Sequence, residues 1–191
     1  MINPPSLIVI SGHPASGKTT LARWLAPQIR LPLFERDALK ETLYDTLGWS
    51  DRAWSRRLGA ASVALLFQVI EAQLAAGGSC VAESNFFPAF DEPRFAGLLE
   101  RHPARLLQLH CRADDATLLE RFRRRALSGE RHPGHVDHGS QDEFAERLRE
   151  PAPPLALPGA TIIIDTGDPA GIDRAALLEQ IRAWLAAPAN D

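Results

Sequence analysis

Eight consecutive residues, Gly12-His13-Pro14-Ala15-Ser16-Gly17-Lys18-Thr19, match G-x-x-x-x-G-K-[ST] at every fixed position. The spacing is that of a phosphate cradle. Glycines let the chain turn tightly, and the freed backbone N–H groups at a helix start bind anions. Lys18 is placed to reach the β- and γ-phosphates, and the Thr19 hydroxyl to ligate Mg²⁺. Thr20 follows with a hydroxyl for the α-phosphate. His13, Pro14, Ala15 and Ser16 fill the variable positions and contribute backbone; His13 has no side-chain role assigned. The expected ligands are therefore ATP and Mg²⁺.

Three further groups offer chemistry for moving a phosphoryl group. Glu35-Arg36-Asp37 follows a short apolar run, so Asp37 is expected at a strand end beside the cradle. Open α/β sheets place ligands there. A carboxylate at that point takes the proton of an attacking hydroxyl. Asp37 equally fits the N-cap of the helix that follows. Glu83-Ser84-Asn85 ends another apolar run. Glu83 is expected near the Mg²⁺ shell, a place Asp37 also fits, and Asn85 near substrate. Arg121 and Arg125 lie four apart and so share a helix face, with Arg131 beyond them. Guanidinium groups on a closing lid stabilise the charge that spreads over the transferring phosphoryl oxygens. A solvated basic face is the plainer meaning of the same run.

Other nucleotide-driven classes fit poorly. The guanine-reading N-K-x-D is missing from the sequence. Leu127-Ser128-Gly129-Glu130 only faintly echoes an ABC signature, and no apolar run ending in Asp-Glu follows it. Motor and AAA+ ATPases need more chain.

The chain resembles the small AAA_33-type P-loop kinases, a group similar to the kinase domain of phage polynucleotide kinase. More loosely, it resembles gluconate kinase, zeta toxins and chloramphenicol phosphotransferase. The resemblance rests on Ser11 through Thr20, on Arg36-Asp37 with Lys40, and on the run from Arg121 through Arg131-His132-Pro133-Gly134-His135. It implies a three-layer α/β fold with a five-stranded parallel sheet of order 2-3-1-4-5 and a helical lid after the fourth strand. It also implies Asp37 as general base, Arg121 and Arg125 as lid arginines, and Thr166 in Asp165-Thr166-Gly167-Asp168 near the adenine. In the polynucleotide kinase pattern a second acid follows the base, with an Arg nearby. Here Ala38 replaces that acid and Lys40 stands for the Arg. Lysine reads phosphate less well in a bidentate manner, which disfavours a 5′-hydroxyl nucleic-acid end as acceptor.

The elements that must position these groups alternate between β-rich runs and helical patterns, as in a mainly parallel sheet. Strands are expected near Leu7–Ser11, Leu31–Glu35, Ser79–Glu83 and Arg105–Cys111, with Ile162–Ile164 as the last central strand. Helices are expected from the cradle to Ala26, where Pro27 stops them, and over Asp37–Leu47 and Asp51–Ala76. Others span Arg94–Arg101, Asp114/Asp115–Leu127, a short stretch to Arg149, and Ile172–Ala186. Ser128–Ser140 reads as a mobile loop, giving a single domain over 1–191 with a lid at about 121–140.

Composition narrows the partners. The chain has 191 residues, 45% of them hydrophobic, with a formal net charge of −3. That length buries a full core. The charge does not suit whole-surface binding of long nucleic acid, leaving at most a short 5′ end. Cys80 and Cys111 sit in apolar runs and read as reduced core residues. His132, His135 and His138, with Asp137, recur at a spacing that zinc sites use, but without an obvious fourth ligand. Leu7–Ile10 is too short to span a membrane, and a cytoplasmic location is expected. The function expected is transfer of the ATP γ-phosphate to a hydroxyl of a small or nucleotide-type acceptor. The alternative is a P-loop ATPase or regulatory module without an acceptor.

Overall fold

The structure is a computed structural model that describes residues 4–129, 131–136 and 141–188. Its sheet is five-stranded, in the order β2-β3-β1-β4-β5. The strands are β1 (Ser6–Gly12), β2 (Leu33–Glu35), β3 (Cys80–Glu83), β4 (Arg105–Arg112) and β5 (Ala160–Asp165). Every pairing is parallel. The order and the parallel sense are those the resemblance implies.

Register matters most for function. Ile10 pairs with Glu83, Glu35 with Glu83, Gly12 with Cys111, and Arg112 with Asp165. The carboxyl ends of all five strands therefore finish along one edge, and every strand-end motif of the sequence emerges there. β1 is buried throughout because helices cover both of its faces. Ile8 and Ile10 pack with Leu21 and Leu25 of α1 (Lys18–Ile29) and Ile181 of α7 (Arg174–Ala186). Leu7 and Val9 pack on the other side with Leu66 and Ile70 of α3 (Arg52–Ala75) and Phe95 of α4 (Pro88–Arg101). Each such fully buried aliphatic side chain contributes about 1.5–3 kcal/mol.

α3 is long and apolar enough to cross a membrane by length and composition alone, with a mean hydropathy of 1.6. Here Leu66, Ile70 and Leu74 are core residues, and the helix packs on α2 (Arg36–Leu47), β2 and β3.

Several boundaries differ from expectation for local reasons. α1 continues past Pro27 to Ile29. Pro27 lies in the last turn, where a single missing N–H removes one hydrogen bond. The helix instead closes at Arg30 in left-handed conformation, with Leu31 N–H donating to the Ala26 carbonyl at 3.2 Å. α4 starts six residues early, with Pro88 in its favoured first-turn position. The Asp91 carboxylate accepts from the Phe87 N–H at 2.7 Å, closing that turn. β2 is short because Pro32 has only a carbonyl to offer, which Val81 N–H uses at 2.9 Å. β5 is an edge strand, not a central one: Ile164 is buried but Ile163 is 44% exposed. Cys80 and Cys111 are free and buried, and burial pushes both thiols up to about 12.

The two helices expected after β4 are present, and the described part of the expected Ser128–Ser140 loop contains a short 3₁₀ turn. α5 (Asp115–Ser128) is followed by a 3₁₀ turn (Pro133–His135) and α6 (Gln141–Leu148). Leu118 and Phe122 of α5 pack on Phe144 and Leu148 of α6. The Phe122 and Phe144 rings stack with centroids 4.3 Å apart, an arrangement worth about 0.5–1.5 kcal/mol beyond burial.

Candidate active site

The cradle has the backbone its sequence requires. Gly12, Ala15 and Gly17 take φ of +139°, +65° and +78°. Successive turns of this kind aim N–H groups inward. Gly12 has no room for a side chain, since a Cβ would lie 2.3 Å from the Cys111 carbonyl oxygen. Gly17 caps α1 without a side-chain acceptor, leaving the first N–H groups of the helix for a ligand. Ser16 Oγ is buried beneath the loop with no hydrogen-bond partner. The N–H groups of the loop and of the first turn of α1 are donors placed for phosphate oxygens.

Lys18 is buried, and its Nζ donates to the His13 carbonyl at 3.2 Å. Glu83 Oε1 stands 3.8 Å from that amine and accepts from Thr19 Oγ1 at 3.2 Å. Burial is the main influence on both ionisable groups. It lowers the Lys18 amine and raises the Glu83 carboxyl, and their attraction counters it only in part. A carboxylate one hydroxyl away from Thr19 suits Mg²⁺, and an added phosphate charge suits the desolvated Lys18, so the residues fit a Mg²⁺–nucleotide. Thr20 is exposed on α1. Burial also lowers the His13 imidazole.

Asp37 is not an N-cap. α2 begins one residue earlier, Glu35 is its N-cap, and neither makes a side-chain cap bond. The Asp37 carboxylate instead accepts from Arg36, whose Nε lies at 3.1 Å, and from Arg131 Nη2. Burial alone would raise this carboxyl; the two guanidiniums outweigh it and hold it well below the carboxylate range.

Lys18, Asp37, Lys40, Asn85, Arg125 and Arg131 all line one cleft of about 590 Å³. Lys40 forms part of its floor: Nζ donates to Ser55 Oγ at 3.1 Å and sits 5.3 Å from the Tyr44 ring centroid. Burial takes that amine down to about 8, with Arg36 adding to the effect. Asn85 also borders a smaller hollow beside Gly12, His13 and Pro14. It precedes Phe86, which holds φ of +33° and whose ring packs against Phe67 and Phe95.

The two arginines of the expected lid part company. Arg125 lines the cleft. Arg121 turns to the β5 end, where Nη2 donates to the Thr166 carbonyl at 2.8 Å and the Gly167 carbonyl at 2.9 Å. Thr166 is buried within 4 Å of where a Gly17 Cβ would stand, and its hydroxyl donates to the Arg112 carbonyl at 2.8 Å. Arg121 and Thr166 thus form a second locality beside the cradle.

The histidines serve packing and orientation. His132 stacks on Tyr44 at 4.9 Å and stands 3.3 Å from Asp45. His135 is buried, and Nε2 lies 2.9 Å from Glu41 Oε1. Burial, aided by Arg131, brings His135 down to about 2, so the imidazole is neutral and donates to Glu41. His138 and Asp137 lie outside the described residues. Among the described residues no three His, Cys, Asp or Glu side chains form a metal-sized group. Gly134 lies directly on the Tyr44 ring, 2.7 Å from where a Cβ would be. Gly134→Ala is expected to cost about 1–3 kcal/mol, read as a lower urea midpoint at unchanged slope.

Sequence reasoning missed Arg52, Arg56, Arg94 and Arg147, which also line the cleft. The i, i+4 spacing of Arg52 and Arg56 was the available signal.

A parallel sheet, a glycine-lined loop feeding α1, and a carboxylate across the cleft define a nucleotide-binding P-loop protein of the small-kinase type. The chain belongs to the AAA_33 family, whose AAA-domain profile matches residues 7–151. It is similar to a crystal structure from Chloroflexus aurantiacus that carries a provisional kinase name. That protein is 41% identical, with a TM-score of 0.87 over 94% of this chain and 98% of that one. Two more distant structures share the fold. Kti12 of Chaetomium thermophilum, in complex with ADP-AlF3, is 19% identical with a TM-score of 0.62, covering 95% of this chain and 100% of that one. Shikimate kinase of Bacteroides thetaiotaomicron is 18% identical with a TM-score of 0.51, covering 95% and 99%. No curated protein matches the sequence.

Proposed function

We propose that the protein is an ATP-dependent phosphotransferase, working as one catalytic unit in the cytoplasm, that phosphorylates a hydroxyl of a small or nucleotide-type acceptor. The observation that carries this reading is the meeting of Lys18 and Asp37 on one cleft. Asp37 orients the acceptor hydroxyl. Its oxygen bonds to the γ-phosphorus as the bond to the β–γ bridging oxygen breaks, ADP leaves, and the proton passes to Asp37. A loose transition state asks little deprotonation before bond formation, so a weakly basic carboxylate suffices. Lys18 and the cradle N–H groups hold the phosphates, and Arg125 faces them from α5. Thr19, with Glu83 behind it, would hold Mg²⁺, which when bound would neutralise phosphate charge. Arg121 and Thr166 close the base end of the nucleotide site.

A second reading is a P-loop ATPase or regulatory module. It is favoured by the two arginines already held by Asp37. ATP turnover with Mg²⁺, measured against sugars, nucleosides, hydroxy acids and 5′-hydroxyl oligonucleotides, separates the two. Acceptor-stimulated turnover with a phosphorylated product is the expected result. Slow hydrolysis indifferent to every acceptor defeats the kinase reading.

A further inference from the structure

The chain carries a net negative charge, yet its cleft is basic. Lys18, Arg36, Arg125 and Arg131 are accounted for by the triphosphate and Asp37. A second group comes from helices that take no part in the cradle: Arg52 and Arg56 on α3 and Arg147 on α6. All three converge on a single carboxylate, Glu143 of α6. Arg52 Nη2 donates to both Glu143 oxygens at 2.8 Å, with Nε at 3.2 Å. Arg56 Nη2 lies at 3.3 Å and Arg147 Nη2 at 3.6 Å. Three cations against one anion leave two positive charges over.

This excess has no stabilising purpose. The side chains of Arg52, Arg56 and Arg147 are 36%, 66% and 39% exposed, and ion pairs of that kind add about 0–1 kcal/mol. Gathering three like charges costs part of that. What the arrangement does provide is a planar guanidinium fork, already shaped around a carboxylate, on the wall of the cleft that Asp37 faces. Phe87, Phe90 and Val63 supply an apolar surface in the same cleft for the body of a ligand.

We propose that Arg52, Arg56 and Arg147 form an anion-reading subsite for a carboxylate or phosphate on the acceptor, and that Glu143 is the internal carboxylate this group displaces. The acceptor class is then a small hydroxy acid or phosphorylated alcohol, its hydroxyl at Asp37 and its acid at α3. This rests on the kinase reading for the hydroxyl end, whereas the anion subsite stands on its own geometry.

The test uses the whole protein saturated with Mg²⁺ and a non-hydrolysable ATP analogue, so that the cradle is filled out to the γ-phosphate position, titrated with inorganic phosphate and followed by arginine Nε NMR signals. Binding on the order of millimolar is expected. Glu143→Gln should tighten it about tenfold, because the internal competitor loses its charge, and Arg56→Gln should weaken it about tenfold. Arg56 is mostly exposed, so its variant folds whatever becomes of Glu143→Gln. Unchanged or weaker phosphate binding in a folded Glu143→Gln protein, or unchanged binding in Arg56→Gln, overturns the subsite. Turnover is then compared for matched acceptors: gluconate and glucose 6-phosphate against glucose, and a 5′-hydroxyl oligonucleotide. Preference for the acids, with KM raised in Arg56→Gln, supports the acceptor class. Equal use of a neutral sugar, or preference for the oligonucleotide, overturns it. Phosphate binding without turnover of any acceptor defeats the kinase reading and leaves the anion subsite standing.

Discussion

Asp37→Asn is expected to lower acceptor phosphorylation by about 10²–10⁴-fold while nucleotide affinity stays within a few-fold of native. The substitution keeps the shape that packs beside Arg36 and removes only the charge and the proton-accepting capacity. Because Arg36 and Arg131, only 17% and 18% exposed, lose the charge they share, the substitution is expected to cost about 1–3 kcal/mol of stability. Single-turnover rates with saturating Mg·ATP, paired with calorimetric ADP binding, measure the two quantities separately. Native transfer in the variant would remove Asp37 from the chemistry. The acid range offers a companion reading. A depressed carboxyl contributes stability that is fully present above its unfolded value of 3.8 and is lost as pH falls through the lower folded value. Asp37 therefore stays charged across the whole working range. The pH profile of kcat/KM should show no acidic limb near the usual carboxylate value that disappears in Asp37→Asn.

Lys18→Ala is expected to reduce kcat by about 10²–10³-fold, the loss typical of one charged donor to the transferring group. Its effect should extend to binding, because the buried amine sits in the cradle itself, held by the His13 carbonyl. Lys18→Arg should not rescue it. A planar guanidinium is too broad for the space between the His13 carbonyl and Glu83, and the point charge of an ammonium is what the cradle accommodates. Stopped-flow turnover and nucleotide titration of both variants provide the check. Full activity in either would place the phosphate-binding function elsewhere.

The parts of this site that were legible from the chain are those where backbone physics restricts the residue type. Gly12, Gly17, Lys18 and Thr19 each answer a separate demand of one loop, so their spacing alone carries the meaning. Asp37 and Glu83 were legible because strand ends of a parallel sheet meet at one edge, although the register that aligns Glu35, Glu83 and Ile10 is a property of pairing that no local pattern encodes. Pro27 misled because a proline in a last turn removes one bond without ending the helix. The helix expected over Arg94–Arg101 begins earlier, at Pro88, because its first turn closes on Asp91, a contact no local pattern announces. Arg121 and Arg125 share a helix, yet they serve different places, since one reaches carbonyls beyond β5 and the other faces the cleft. The wall of Arg52, Arg56 and Arg147 was hidden for another reason. Its members stand on two helices far apart in the chain, and each alone resembles an ordinary solvated cation.

The position of β1 in the middle of the sheet has an evolutionary corollary. Its loop is confined by the Cys111 carbonyl on one flank and by Glu83 on the other, so almost any alteration there is felt in the strands themselves. The guanidinium wall hangs from outer helices whose facing side chains exchange without disturbing a ladder. On the proposed kinase reading, a lineage built on this scaffold is thus free to drift in what it phosphorylates while the donor it consumes stays fixed.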